Sequence, residues 1–215
     1  MTAPRTVLLT GFEPFDGQVV NASWAAVQEV VRTWTRDERL VGVQLPVSFR
    51  GARQALRVAV RDHEPDVVVL VGEAGGRSAV GLERVALNLI DARIPDNDGS
   101  APVDVPVVAG APTAILSGLP VKACLLAVRA TGVPVEVSNT AGTYVCNATF
   151  FALGHLLERR PGVVGGLVHV PRTPGQVGAG EPSLSTEASA LAVGAVVGTA
   201  LDRADDVVVP AGAEA

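Results

Sequence analysis

A chain of 215 residues with a formal charge of −5, 48% hydrophobic and only 18% charged, is long enough for one α/β domain with a full core and requires no second. The acidic balance and the lack of any basic run exclude a phosphate-neutralising surface, so no nucleic-acid partner is expected. No apolar run reaches the length of a membrane span and no basic-then-apolar leader opens the chain, which points to a cytoplasmic protein with no membrane association.

Residues 6–10 read as a short apolar strand, closed by the turn-rich Gly11-Phe12-Glu13-Pro14-Phe15-Asp16-Gly17. Phe12 and Phe15 either cover the edge of the core or form an apolar slot at the carboxyl end of a sheet; position alone leaves both open. Asn21 is placed to cap a helix whose apolar face is Trp24, Val27, Val30, Val31 and Trp34. Residues 40–47 read as a second strand and residues 50–63 as a basic amphipathic helix with a solvated charged face. The continuous apolar run at 65–72 predicts a strand buried on both faces, ending in Glu73-Ala74-Gly75-Gly76-Arg77, where glycines let backbone approach a ligand closely. That spacing matches neither phosphate-binding glycine motif, so no nucleotide site is expected.

Residues 83–91 alternate as one strand, followed by a polar, turn-forming loop over 92–99. The Pro- and Val-rich stretch 101–112 reads as an extended excursion over the surface. Pro120 can open a helix to about Arg129, in which Cys124 sits among apolar neighbours and reads as structural. Residues 133–138 form a β-like run that passes through a glycine-containing turn into a helix carrying Phe150, Phe151, Leu153, Leu156 and Leu157. Residues 163–171 predict another apolar strand and 183–201 a last, Ala-rich helix. The strand-helix alternation predicts an α/β fold: a single domain over 1–203 with an open, largely parallel sheet flanked by helices on both faces, then a loosely ordered tail at 204–215.

The chemistry centres on Cys146. It falls in the first turn of its helix, where unpaired N–H groups and the positive end of the dipole favour the nucleophilic thiolate. Two cysteines do not make a disulfide framework at this length, and neither has a cysteine or histidine at metal-ligand spacing, so no metal and no cofactor is expected. Of three histidines, His155 lies nine positions along the same helix, a rise of about 13.5 Å and out of reach. His63 precedes a strand and belongs at the amino edge of the sheet, whereas sites in open α/β sheets gather at the carboxyl edge. His169 ends its strand, as Cys146 does relative to residues 133–138, and is the histidine placed to meet the thiol. Glu83, Asp91 and Asp96 all qualify as the acceptor behind it, and spacing does not choose. Arg93 can donate to a developing oxyanion together with the backbone N–H of Cys146.

These blocks resemble a known family. Gly11-Phe12-Glu13-Pro14-Phe15, Gly72-x-Ala74-Gly75-Gly76-Arg77, Glu83-Arg84-Val85-Ala86-x-Asn88, Asp91-Ala92-Arg93-Ile94-Pro95-Asp96-Asn97, residues 138–147 (SNTAGTYVCN) and His169-x-Pro171 are similar to the pyroglutamyl peptidase I cysteine peptidases. The resemblance implies a triad of Cys146 as nucleophile, His169 as base and Glu83 as the orienting carboxylate. It implies that Phe12 and Phe15 help form the pocket for the pyrrolidone ring, that the segment around Glu73 gives backbone hydrogen bonds to the lactam, and that Arg93 lies by the catalytic centre. It further implies a pyroglutamyl peptide as substrate, no metal, and a cytoplasmic homodimer or homotetramer. Three differences from the family pattern stand out, one of them a residue fewer between the cysteine and the histidine. Arg172-Thr173-Pro174-Gly175-Gln176 replaces an apolar residue and Pro-Glu-Gln after the histidine, and Tyr144 replaces a phenylalanine, adding a hydroxyl near the pocket.

The expected reaction is removal of an N-terminal pyroglutamyl (5-oxoprolyl) residue through a thioester. Burying a neutral lactam between aromatic walls favours this substrate over one whose free α-ammonium would be buried unpaired, at a cost of several (~2–7) kcal/mol. The competing readings are a nucleoside phosphorylase or hydrolase on a similar architecture, and a catalytically silent binding protein that keeps the pocket.

Overall fold

A computed structural model describes residues 4–203 and 205–212. In chain order the elements are β1 (Thr6–Phe12), α1 (Ala22–Thr33), β2 (Arg39–Leu45), α2 (Phe49–His63), β3 (Val67–Glu73), β4 (Val80–Glu83), β5 (Val85–Leu87), β6 (Ala114–Leu116), α3 (Val121–Ala130), β7 (Val135–Ser138), α4 (Val145–Leu157), β8 (Val164–Val170), a 3-10 turn at Pro174–Gln176 and α5 (Thr186–Asp202). Six strands form one sheet in the order β2-β1-β3-β8-β4-β7, and β5 and β6 form a separate antiparallel pair.

Side chains alternate across the strands, so each strand feeds two cores. Val67, Val69 and Val71 of β3 pack with Val168 and Val170 of β8 against α1, α3 and α5. Val68 and Leu70 pack with Leu167 against α2 and α4, where Phe150 and Phe151 are fully buried. Truncating either phenylalanine to alanine costs about 3–5 kcal/mol on general grounds. The helices that cover the sheet follow local signals: Asn21 caps α1 by accepting from the Ser23 N–H at 3.0 Å, and Ser48 caps α2 by accepting from the Gly51 N–H at 3.0 Å.

The sheet is mostly parallel, but not throughout. β2, β1, β3 and β8 run together, while β4 is antiparallel to β8 and β7 is parallel to β4, so the last two strands are reversed. The expected strand over 83–91 is in fact two short ones that belong to different sheets. Glu83 is the last residue of β4, and β5 turns away beyond Arg84 to pair with β6. Both halves alternate, so one uninterrupted period hides the bend. The stretch 101–112 has no regular structure, as expected of an excursion, but it is pinned by a bridge from Val105 to Ile90 and by the buried Val107.

The tail beyond α5 also has no helix or strand over 205–212, yet it is anchored. Pro120 gives α3 no side-chain cap, and the Asp206 carboxylate supplies one, accepting from the Lys122 N–H at 3.0 Å and the Ala123 N–H at 2.8 Å. Arg84 donates to the Ala211 carbonyl at 3.0 Å. Among the described residues, no helix is long and apolar enough to cross a membrane.

Candidate active site

The same alternation that builds the two cores sorts the polar residues. Because Val168 and Val170 face α1 and α5, His169 faces α4; Gly72 on β3 and Glu83 on β4 face the same way. His169 is paired with Gly72 on one flank and Gly81 on the other. Neither neighbour has a side chain, which leaves room for the imidazole and its partners. A Cβ built on Gly72 would lie 2.7 Å from His169 Cδ2, 2.8 Å from its Nε2 and 3.0 Å from Cys146 Sγ. The sulfur and Nε2 thus both lie beside Gly72, and a hydrogen bond between Cys146 and His169 is among the causes that raise the His169 pKa. A Cβ on Gly81 would collide with the Arg77 guanidinium.

On the other side of the ring, His169 Nδ1 lies 2.8 Å from Glu83 Oε1. A carboxylate only accepts, so Nδ1 carries a proton. Arg77 Nη1 donates to the same oxygen at 2.9 Å. Glu83 is 1% exposed and its Oε2 is buried with no hydrogen-bond partner, while the nearby Ser138 hydroxyl donates to the Thr140 carbonyl at 3.0 Å. Burial alone would raise the Glu83 pKa, but the His169 hydrogen bond and charge, with Arg77 behind them, outweigh it and hold the carboxyl below its ordinary value. Burial likewise opposes a charged His169; the Cys146 sulfur and the Glu83 carboxylate prevail and raise its pKa to about 9.

Cys146 is the second residue of α4, and Tyr144 at the cap position gives no side-chain cap, so the first-turn N–H groups point at the sulfur's surroundings. The start of α4 is fixed by Asn147, which is fully buried, accepts from the Leu87 N–H and donates to the Leu87 and Leu89 carbonyls, each at 2.9 Å. That clamp ties the cysteine to the chain just beyond Glu83.

The thiol opens onto a cavity of about 470 Å³ that Phe12, Phe15, Glu73, Arg93, Tyr144 and Cys146 all line. Phe15 and Tyr144 stack at 5.4 Å between ring centroids, and Phe49 meets Tyr144 edge-on at 5.1 Å. The Tyr144 hydroxyl is committed to the Pro95 carbonyl at 2.9 Å, and burial raises its pKa to about 12. Arg93 is exposed and makes no hydrogen bond or ion pair among the described residues. A wider hollow of about 780 Å³ at Ala123, Thr199 and Val207 is lined by no cysteine or histidine.

All eight residues singled out from sequence therefore gather at one place, with Glu83 and His169 behind the cavity wall. The route to that arrangement differs from the expected one. Cys146 does not end a strand parallel to that of His169: β7 runs the opposite way, and the loop 139–144 carries the chain back to the carboxyl edge of β8 before α4 begins. Of the other acceptors, Asp96 caps α2 by accepting from the Phe49 N–H at 2.8 Å, and Asp91 is held to Thr143 through its backbone. His155 pairs with Glu158 on the surface of α4, and Cys124 is 1% exposed in the core.

The sequence assigns no role to Arg77 or Asn147, and it marks Arg172 and Gln176 only as part of a segment that differs from the family pattern. Arg172 Nε donates to Glu73 Oε1 at 3.1 Å, and Glu73 Oε2 accepts from Gln176 at 2.8 Å and from the Ala22 N–H at the start of α1 at 2.7 Å. The signal for that tie was a charged residue where an apolar one was expected. Among the described residues, no group of three or more His, Cys, Asp or Glu side chains is arranged to hold a metal ion.

Comparison with known proteins places this arrangement in context. The family model described as pyroglutamyl peptidase matches residues 5–203. A pyrrolidone-carboxylate peptidase of Clavibacter michiganensis is 51% identical over 208 residues, spanning 96% of this chain and 98% of that one. One from Klebsiella pneumoniae is 46% identical over 93% of this chain and 94% of its own. The crystal structure of pyroglutamyl peptidase I from Bacillus amyloliquefaciens superposes with a TM-score of 0.93 at 40% identity, covering 96% of this chain and all of the other. That of the pyrrolidone carboxyl peptidase from Thermococcus litoralis gives 0.90 at 36% identity, over 96% and 99%.

Proposed function

The chain belongs to the pyroglutamyl peptidase family, and on that premise we propose that it removes N-terminal pyroglutamate from peptides with Cys146, His169 and Glu83 as its catalytic groups. The observation that supports this most is the run of contacts from Glu83 Oε1 through His169 to the Cys146 sulfur, opening on a cavity walled by aromatic rings. The family match sets aside the nucleoside phosphorylase alternative.

In this reading the Cys146 sulfur, with the imidazole beside it, attacks the carbonyl that joins the lactam ring to the next residue. The oxyanion is held by first-turn N–H groups of α4 and by Arg93. His169 then gives its Nε2 proton to the leaving amine, the C–N bond breaks and the acyl group remains on sulfur as a thioester. Water, deprotonated by the now neutral His169, attacks the thioester and frees pyroglutamate and the thiolate. Glu83 keeps Nδ1 protonated throughout, and its hydrogen bond to His169, with Arg77 behind it, favours the carboxylate. Phe12, Phe15 and Tyr144 enclose the ring, while the backbone at Glu73 pairs with the lactam. The peptidase unit is residues 1–203, a cytoplasmic homodimer or homotetramer; the family match over residues 5–203 supports the boundary.

The test is amine release from a fluorogenic pyroglutamyl amide by the wild type and Cys146→Ser, with reductant and chelator present. Turnover by the wild type alone carries the proposal; an inactive, folded wild type would favour the silent binding protein instead.

A further inference from the structure

Resting on the peptidase reading above, we propose that Arg172 gives this enzyme a carboxylate-binding position for the residue that follows pyroglutamate, so that it prefers substrates carrying a negative charge there. The position begins with Gly75. A Cβ at that glycine would lie 3.1 Å from Arg172 Nε and 3.2 Å from its Cζ, so the guanidinium occupies the space a side chain there would take, just beyond β3. Its Nε is fixed by Glu73 Oε1 at 3.1 Å.

Glu73 is in turn immobilised by the Ala22 N–H and by Gln176 Nε2. The amide of Gln176 is held at both ends: its oxygen accepts from the Thr173 N–H at 2.9 Å and the Thr173 hydroxyl at 3.0 Å, and its nitrogen also donates to the Val20 carbonyl at 3.1 Å. The arginine stem is thus anchored while its two terminal nitrogens make no hydrogen bond among the described residues. The side chain is 29% exposed and lines the same cavity as Cys146.

An arginine fixed through Nε presents Nη1 and Nη2 as a planar fork, the geometry that takes a carboxylate bidentately. Separation favours a neighbouring substrate residue. A Cβ on Gly72 would lie 3.0 Å from the sulfur and one on Gly75 3.1 Å from Arg172 Nε, and three residues of chain span at most about 11 Å. Asp16, Glu73 and Asp91 line the cavity against Arg93 and Arg172, so its summed charge does not draw in anions. The preference depends on one oriented fork and not on the general field. The segment from Arg172 to Gln176 is where the chain differs from the family pattern, and Glu73, Arg172 and Gln176 are joined in one network there.

The experiment compares two pairs of substrates, pyroglutamyl-alanine with pyroglutamyl-alaninamide, and pyroglutamyl-glutamic α-amide with pyroglutamyl-glutamine α-amide. Each pair differs by one negative charge, on the main chain or on the side chain. We expect the charged member of at least one pair to have a kcat/KM about tenfold higher, chiefly through KM, with the advantage shrinking as salt is added. In Arg172→Gln the ratio should fall to about one, and in Arg172→Lys, which keeps the charge but loses the fork, to an intermediate value. Wild-type ratios at or below one in both pairs, or a ratio unmoved in Arg172→Gln, overturn the proposal. Because each ratio is internal to one enzyme preparation, partial misfolding of a variant does not mimic the result. Failure of the wild type to cleave any of the four substrates overturns the peptidase reading itself, a distinct outcome.

Discussion

Gly72 and His169 sit opposite each other in the β3–β8 ladder, and the space in which a Gly72 side chain would begin is occupied by the imidazole and the Cys146 sulfur. The glycine is a spacer cut to one contact. Gly72→Ala should therefore displace the imidazole or the thiol and lower kcat by roughly 10²-fold or more, since small misplacements of reacting groups cost that much. Steady-state kinetics on a folded, purified variant checks this; near wild-type kcat would show that the ring and thiol move aside without loss.

The charge state of His169 sets the pH range. Its pKa is raised to about 9, so the imidazolium contributes stability in full below the unfolded value of about 6.5 and loses that contribution as pH rises through about 9. Because the imidazolium protonates the leaving amine, kcat/KM should fall on an alkaline limb near 9. Glu83→Gln removes one of the two groups that raise this pKa. The limb should move to lower pH and kcat should drop on the order of 10²–10⁴-fold. A pH–rate profile decides it, and an unmoved limb would detach Glu83 from His169.

The two thiols should differ sharply in reactivity. Burial, with Asp206 nearby, pushes the Cys124 pKa up to about 12, and the side chain is 1% exposed, whereas Cys146 opens on the cavity. Iodoacetamide at neutral pH should alkylate one cysteine, identified by peptide mass as Cys146, in step with loss of turnover. Modification of Cys124 at a similar rate in the native protein would contradict the packing described.

Asp206 tests the cap on α3. Asp206→Ala leaves the Lys122 and Ala123 N–H groups without a partner and should cost about 1 kcal/mol, lowering Tm by about 2–4 °C for a chain of this size. Asp206 is remote from the cavity, so turnover per folded molecule at 25 °C should hold. A Tm within error of the wild type would mean that solvent replaces the carboxylate.

How far the sequence led can be judged residue by residue. The strand at 67–71 was legible because its apolar run is short and unbroken, and the helix bearing Phe150 and Phe151 because its apolar residues recur at helical spacing. Cys146 and His169 could be singled out because thiols and histidines are so few. Strand direction was not legible, since a period of two is the same either way along the sheet, and so the reversal of β4 and β7 went unseen. Nor could spacing choose Glu83 over Asp91 and Asp96. That choice is made by a bend at Arg84 and by the helix start that claims Asp96, both of them tertiary facts. The resemblance to a family pointed to Glu83 where periodicity was silent. It marked the segment that holds Arg172 and Gln176 as different but gave neither residue a role.

The placement of β8 has a consequence for how the molecule comes into being. β8 lies between β3 and β4 in the sheet but follows both in the chain, and His169 is 86 positions beyond its partner Glu83. Until that strand threads into the gap, Glu83 faces no imidazole and Cys146 has no base beside it. Long-range pairing of this kind forms late, after most local structure is in place. The catalytic trio is therefore complete only once β8 has closed the sheet.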